Sequence, residues 1–401
     1  MARQPLLFLI GGIFSLIIAM GIGRFAYTPI LPLMQNDLTF SNAIAGFLAT
    51  SNYAGYLVGA ILTGIIPLKK HRTASLRASL AISILTTAFM GLLHSYGVWY
   101  IIRFLSGVAS AFVFVLASSI VLDQLAAKNK SNWSGVFFGG VGFGIFLSGL
   151  FTPILNGLFH WKGVWIGLAI ISVILAVFVW IWLIDTAHPV MPKIYQVKTD
   201  PQRSSVKWLP LLITAYGLEG LGYIVTGTFI VSIGENAPGL NGNPTIVWMV
   251  VGLAAVPSCI LWSALAKKWD FIKCLVLAMT LQALGIALPV ISMSQPSLVV
   301  CAVLFGATFM GITTLTTTLA RQLKAENSSQ IIGYLTAVYA IGQMIGPTIA
   351  GVLSTNTHNF NAALLGAAGV VLAGAILLIN GIQFEKKIHE ENELLPVKNN
   401  L

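Results

Sequence analysis

Long apolar runs separated by short polar breaks are the first pattern the chain presents, and their length decides what they are. Twelve runs are present, at 6–33, 43–66, 77–95, 97–122, 134–158, 162–184, 208–233, 243–266, 271–293, 296–320, 329–354 and 359–382. Each is close to the about 20 residues that carry a helix across a bilayer core. None shows the roughly ten-residue alternation of a membrane barrel strand. The breaks after His94 and after Ser292 are only a few residues long. The first run exceeds the roughly 7–15 apolar residues of a secretory signal, and no small-x-small cleavage site followed by polar sequence closes it. The pattern predicts an all-α integral membrane protein with twelve transmembrane helices.

Composition agrees. Of 401 residues, 57% are hydrophobic and 8% charged, against about 25% charged in a soluble domain. The partner implied first is the lipid bilayer, whose core leaves apolar surface uncovered at no cost. A net charge of +10 would point to nucleic acid in a soluble protein, but its distribution removes that reading. Nineteen of the 22 Lys and Arg residues fall at the N-terminus, in alternate loops or in the C-terminal tail, and the opposite loops hold only Lys162. This bias predicts that both termini are cytoplasmic. The two basic residues left over, Arg24 and Arg103, lie inside apolar runs.

The longest non-apolar stretch before the tail, DTAHPVMPKIYQVKTDPQRSSVK, reads as a cytoplasmic linker. The expected organisation is an N-terminal six-helix bundle at 1–184, a linker at 185–207, a C-terminal six-helix bundle at 208–382 and a cytoplasmic tail at 383–401. The halves carry traces of a repeat. MGIGRFAY (20–27) aligns with YGLEGLGY (216–223) at an offset of 196. Ser106 and Gly107 align with Phe305 and Gly306 at 199, and Gly140, Gly144 and Gly149 align with Gly342, Gly346 and Gly351 at 202. Parallel repeats of this kind place a binding site near midplane, between the halves. The glycines suit close helix contact.

Charges within the runs carry the chemistry. A charge at the bilayer centre costs about 2.5–3.5 kcal/mol on insertion scales. Glu219 is the one acidic residue near the middle of any run, and it aligns with Gly23, next to Arg24. The halves therefore present opposite charges at matching depth. Helical spacing puts Tyr216, Glu219, Tyr223 and Thr226 on one face, and Arg24 on a face with Tyr27 and Thr28. Two such stripes facing each other would form a cavity. Asn52, Tyr53, Tyr56 and Gln343 are uncharged candidates for it. A structural Arg24–Glu219 ion pair is the alternative. Arg103 stands nearer the outer surface, where bonding to carbonyls of its own bundle and contact with substrate are both open.

Enzyme chemistry finds no support. The six histidines lie in loops, run ends or the tail, and no nucleotide-binding loop is present. Cys259, Cys274 and Cys301 sit on three different runs without ligand-like spacing, so no metal or cofactor is expected.

Twelve spans, a central linker and two six-helix halves resemble the major facilitator superfamily over the whole chain. RFLSGVASA (103–111) is similar to that superfamily's fourth-helix motif. GIIPLKKHRTASLR (64–77) occupies the place of its signature loop, keeping the basic cluster but lacking the usual aspartate. The fifth run resembles the antiporter motif in its glycines and lacks the proline after Gly144. GIGRFAYTPILPLM, YGLEGLGYIVTGTF and GYLTAVYAIGQMIGP resemble the YbfB/YjiJ group of bacterial porters. The resemblance implies a multi-pass protein of the bacterial inner membrane whose cavity is lined by the first, fourth, seventh and tenth helices.

The function expected is secondary active transport of a small organic solute, carboxylate-bearing or zwitterionic, by alternating access and coupled to protons. The binding and coupling candidates are Arg24, Tyr27, Asn52, Tyr56, Arg103, Tyr216, Glu219, Tyr223 and Gln343, with Glu219 the proton carrier. The partners expected are that solute, protons and lipid, with no nucleic acid, and the chain is expected to be a monomer. A multidrug-type efflux porter for amphiphilic or cationic compounds, an uncoupled uniporter and a non-transporting membrane sensor are the alternatives.

Overall fold

The computed structural model describes residues 5–66, 71–184, 203–235, 237–240, 243–323 and 328–394. Most of the expected linker, the basic pair Lys69 and Lys70, and the last residues of the tail lie outside the described residues. The chain is helical throughout the described residues. The elements are α1 (Pro5–Leu16), α2 (Tyr27–Leu38), α3 (Asn42–Ile65), α4 (Arg72–Leu92), α5 (Tyr96–Ala127) and α6 (Ser134–Trp182). They are followed by α7 (Arg203–Gly234), α8 (Thr245–Trp269), α9 (Phe271–Ile291), α10 (Gln295–Leu323), α11 (Ser328–Thr357) and α12 (Asn361–Leu394). The loop between α2 and α3 is short and capped. Thr39, in the left-handed region at φ 53°, ends α2 by donating its N–H to Gln35 O at 2.8 Å, and Ser41 Oγ caps the start of α3.

Eleven helices among the described residues are long and apolar enough to cross a membrane, where the sequence predicts twelve. The difference lies in α6, which merges the expected runs 134–158 and 162–184. A straight helix of its 49 residues would be about 74 Å long, more than twice a bilayer core. It is not straight. At His160 the backbone takes φ 56° and ψ −177°, and beyond it the chain returns along itself. A Cβ added at Gly167 would stand 2.7 Å from Leu155 Cδ1, although twelve residues of straight helix span about 18 Å. The break is a single residue, so helical hydrogen bonding runs almost up to it from both sides. The first crossing is also composite, because α1 and α2 together with the segment between them form one apolar stretch, Pro5–Leu38.

Packing repeats between the two parts of the chain. In the first part α5 packs on α3 and α4, and α6 packs on α1 and α4. In the second, α10 packs on α8 and α9, while α7 packs on α11 and α12. The parts meet along α6 with α8, α3 with α11, and α2 with α7. Glycine sets two of these contacts, as small residues do where helix backbones approach in a membrane. A Cβ at Gly252 would stand 2.3 Å from Phe146 N, and one at Gly46 2.2 Å from Pro347 O. Gly342 and Gly346 serve the second part itself, facing Gly217 O and Leu221 O of α7.

Candidate functional site

Arg24 stands where the first crossing is not an α-helix. A π-helical turn covers Ile17–Ile22, with Gly23 N donating to Ile18 O at 2.8 Å and Phe25 N to Met20 O at 3.0 Å. Residues 23–26 then form turns before α2 begins at Tyr27. Two prolines follow the break closely. Pro29 and Pro32 have no N–H to give to the preceding turn, and their rings crowd the carbonyls four residues back. Thr28 N reaches Phe25 O instead, at 3.2 Å. π-bulges of this kind recur at functional sites.

The break frees backbone carbonyls in a dry environment, and α5 supplies their partners. Ser106 Oγ donates to Gly23 O at 2.9 Å. Arg103 donates through Nη1 to Gly23 O at 3.3 Å and through Nη2 to Arg24 O at 3.4 Å. Its guanidinium lies 4.7 Å from the Tyr27 ring. Asn52 Nδ2 donates to Arg103 O at 2.9 Å, and Tyr27 OH to Ala45 O at 3.0 Å. Three of the nine candidates, Tyr27, Asn52 and Arg103, are thus brought together behind Arg24, as a brace for the broken helix.

The other six gather on the far side. Arg24 is 3% exposed. Its guanidinium lies 4.2 Å from the Tyr56 ring, 4.9 Å from Tyr53 and 5.3 Å from Phe25. Nη2 donates to Gln343 Oε1 of α11 at 3.0 Å, while Nε has no partner. Gln343 Nε2 donates in turn to Tyr223 OH of α7. Next to Tyr223 is Tyr339, whose ring stacks on it at 5.6 Å and whose hydroxyl lies beside both the Tyr223 hydroxyl and the Glu219 carboxyl group. Arg24 and Glu219 are not an ion pair. They are the two ends of a polar chain that crosses from the first part of the molecule to the second.

Glu219 is fully buried, and neither carboxyl oxygen has a hydrogen-bond partner. The polar side chains facing it are Gln282 of α9 and Tyr339 of α11. Gln282 is also fully buried, with both its amide oxygen and its amide nitrogen unpartnered. Around this pair runs a ladder of nearly parallel rings. Tyr216 stacks on Tyr339 at 4.2 Å, and Tyr223 stacks on Phe309 and on Phe305 at 6.0 Å each. Tyr216 OH donates to Thr313 Oγ1 at 3.3 Å.

Gln282, Tyr339, Phe305 and Phe309 are absent from the sequence candidates. Tyr339 had a signal, since it precedes Gln343 by four residues and so shares its helix face. Gln282 had a weaker one, as an uncharged amide in the middle of the ninth run. Phe305 and Phe309 look like any apolar residue of a spanning helix.

The site is shut at one end. Thr28 Oγ1 donates to Gly227 O at 2.6 Å, and Asn36 Nδ2 to Glu235 Oε1 at 3.0 Å. Ala43 N donates to Thr355 Oγ1 at 2.9 Å, and Thr50 Oγ1 to Met344 O at 2.8 Å. All four join the two parts of the chain between Arg24 and the loops poor in Lys and Arg. Toward the basic loops, Gly64 of α3 and Gly333 of α11 have open space around them, and Tyr56, Thr313 and Tyr339 are only partly buried.

Comparison with known proteins follows this geometry. A family described as the uncharacterised MFS-type transporter YbfB matches residues 16–378. The MFS-type transporter YceJ of Bacillus subtilis (strain 168) is 26% identical over 367 residues, covering 87% of this chain and 90% of that protein. The MFS-type transporter YcaD of Escherichia coli (strain K12) is 21% identical over 369 residues, covering 88% and 90%. Among solved structures, a mutant of the nucleoside transporter NupG superimposes with TM-score 0.70 at 13% identity, over 93% of this chain and 99% of that one. The POT family transporter PepTSo does so with TM-score 0.73 at 12% identity, over 96% and 99%. At these identities the two structures speak for the fold alone.

Proposed function

The chain belongs to the family of MFS-type membrane transporters described by YbfB, a family of porters and not of enzymes, and from that premise we propose that it is a proton-coupled secondary transporter of a small organic carboxylate. Counting the two arms of α6 separately gives twelve crossings. The halves are then 1–184 and 208–382, joined by a cytoplasmic linker at 185–207, with both termini and the tail at 383–401 in the cytoplasm. The setting is the bacterial inner membrane and the working unit a monomer. The end that is shut faces outward, so the state described is open toward the cytoplasm.

One observation carries the substrate class. Arg24 is a buried permanent cation whose guanidinium has an unpartnered nitrogen and, among the described residues, no carboxylate against it. A buried charge without a counter-ion is costly, and guanidinium is matched by the two oxygens of a carboxylate. A substrate carboxylate supplies the missing anion.

Coupling follows from the polar chain. Arg24 polarises the Gln343 amide, which donates to Tyr223, whose hydroxyl is left to turn toward Tyr339 and so toward Glu219. A carboxylate that takes the Arg24 guanidinium competes with Gln343 Oε1 and releases that polarisation. Glu219 then loses the support of its ionised form and takes up a proton. Substrate and proton therefore share one event although 219 and 24 never touch.

The test is accumulation of a labelled carboxylate in proteoliposomes under an imposed proton gradient. Glu219→Gln is expected to abolish gradient-driven accumulation while leaving exchange of substrate across the membrane. Gradient-driven accumulation at the wild-type level would remove Glu219 as the proton carrier. A second reading, efflux of flat amphiphilic cations, is favoured by the ring ladder beside Glu219. Gradient-driven expulsion of a cationic dye, lost in Glu219→Gln and kept in Arg24→Met, would decide for it.

A further inference from the structure

Four of the buried atoms without a hydrogen-bond partner in the second half fall on one pair of side chains, Glu219 Oε1 and Oε2 and Gln282 Oε1 and Nε2. They belong to two fully buried side chains that face each other from α7 and α9. Buried polar groups are almost always hydrogen-bonded, so an orphaned pair asks for an explanation. The donor inventory gives one. An ionised Glu219 offers only acceptors. Gln282 Nε2 can serve one of them, but Gln282 Oε1 then finds no donor in Glu219. One proton changes the count. The carboxyl O–H donates to Gln282 Oε1 while Gln282 Nε2 donates to the other carboxyl oxygen, and all four atoms are satisfied in a ring of two hydrogen bonds.

The neighbour on the other side has the opposite preference. Tyr339 offers Glu219 a hydroxyl donor from α11, which serves an ionised carboxylate best. Among the described residues the ionisable side chains that face Glu219 are Tyr339 from α11, and Tyr216 and Tyr223 from its own helix. Among the described residues, no charged side chain of α2, α8, α9, α10 or α12 acts on it. Only the amide on α9 and the hydroxyl on α11 therefore distinguish the two forms.

We propose that Gln282 is a positioning residue that holds protonated Glu219 in a paired acid–amide ring against α9, and that loss of the proton turns the carboxylate to the Tyr339 hydroxyl on α11. The inference rests on Glu219 being the proton site of the reading above. It adds that the proton decides which helix Glu219 binds. Tyr339 stands in the chain to Arg24, so the ionised form is joined to the substrate site and the protonated form is detached from it.

Infrared difference spectra of the purified full chain in lipid vesicles, titrated in pH without substrate, test this. The protonated-carboxyl stretch of Glu219 is identified by its absence in Glu219→Gln. In Gln282→Met, which keeps the bulk and removes both hydrogen bonds, that band is expected to move to higher frequency. In Tyr339→Phe the frequency is expected to stay, and the pH midpoint of the band to rise, because only the ionised form has lost a donor. Should Gln282→Met not fold, the exchanged pair Glu219→Gln with Gln282→Glu keeps one acid facing one amide and is expected to restore a band at the wild-type frequency. An unmoved band in Gln282→Met, or a missing band in the exchanged pair, overturns the proposal. So does an unmoved midpoint in Tyr339→Phe, or the absence of any titrating Glu219 band. None of these readouts depends on transport, so failure of proton coupling in proteoliposomes is distinguishable from failure of the pair.

Discussion

Arg24 and Arg103 are both nearly inaccessible arginines in the membrane, yet their surroundings assign them different work. Arg103 gives both of its terminal nitrogens to the carbonyls of a broken helix, whereas Arg24 gives one to Gln343 on the far side of the site, and the Nε of each has no partner. Stability should separate them. Arg103→Met strips Arg24 O of its donor, and a buried group so orphaned costs about 1–3 kcal/mol. Arg24→Met orphans Gln343 Oε1 in the same way, but it also removes a buried cation that among the described residues has no carboxylate against it, so its loss of stability should be the smaller. Thermal midpoints of the two variants in detergent check this, and a larger loss in Arg24→Met would reverse the assignment. At this scale the sequence is informative about charge and poor about amides and rings. Arg24 and Glu219 are conspicuous because ions are expensive in an apolar run. Nothing in the composition of the ninth run marks Gln282 as the group that meets Glu219, since that contact depends on how α9 is rotated against α7. Bonding of Arg103 to carbonyls of its own bundle was one of two readings open from the sequence, which does not show that Thr28 N turns to Phe25 O and leaves Arg24 O to Arg103.

Among the elements, α6 is the one that the sequence and the structure divide differently. Hydropathy predicts two spans because it sees a polar gap around His160 and Lys162. The structure shows one helical run folded back at His160. The backbone there lies in a region that side chains other than glycine seldom occupy, at a cost of about 1–3 kcal/mol. His160→Gly should relieve it and stabilise the protein by about 1 kcal/mol once the entropy of glycine is subtracted. A raised thermal midpoint with unchanged helix content is the expected result, and a lowered one would mean that the histidine side chain holds the turn. The bounds of the other spans were readable to within a few residues because a lipid core leaves helices little choice of length. The π-helical turn before Arg24 was not readable, as no apolar period marks where the backbone bonds lengthen by one residue.

At the scale of the whole molecule, one end is shut by contacts between the two parts of the chain. Thr28 meets Gly227 and Asn36 meets Glu235 across the seam between the two parts of the chain. If rocking about this seam moves the substrate, pinning it should stop transport. Ala43→Cys with Thr355→Cys places a thiol pair where Ala43 N already bonds Thr355 Oγ1, and the three native cysteines are buried and unbridged. Oxidation of the pair is expected to abolish uptake and reduction to restore it, and uptake that survives cross-linking would exclude motion at this end. The chain from Arg24 to Glu219 has one more consequence. Hydroxyls can hand a proton along by turning and exchanging it, but a carboxamide cannot do so without becoming an imidic acid. Gln343, set between the Tyr223 hydroxyl and the permanently charged Arg24, therefore ends any such relay. It lets the halves sense each other's charge while no proton passes, and in Gln343→Glu, which puts a carboxylate of the protein against Arg24, uptake of a labelled carboxylate in proteoliposomes should be lost.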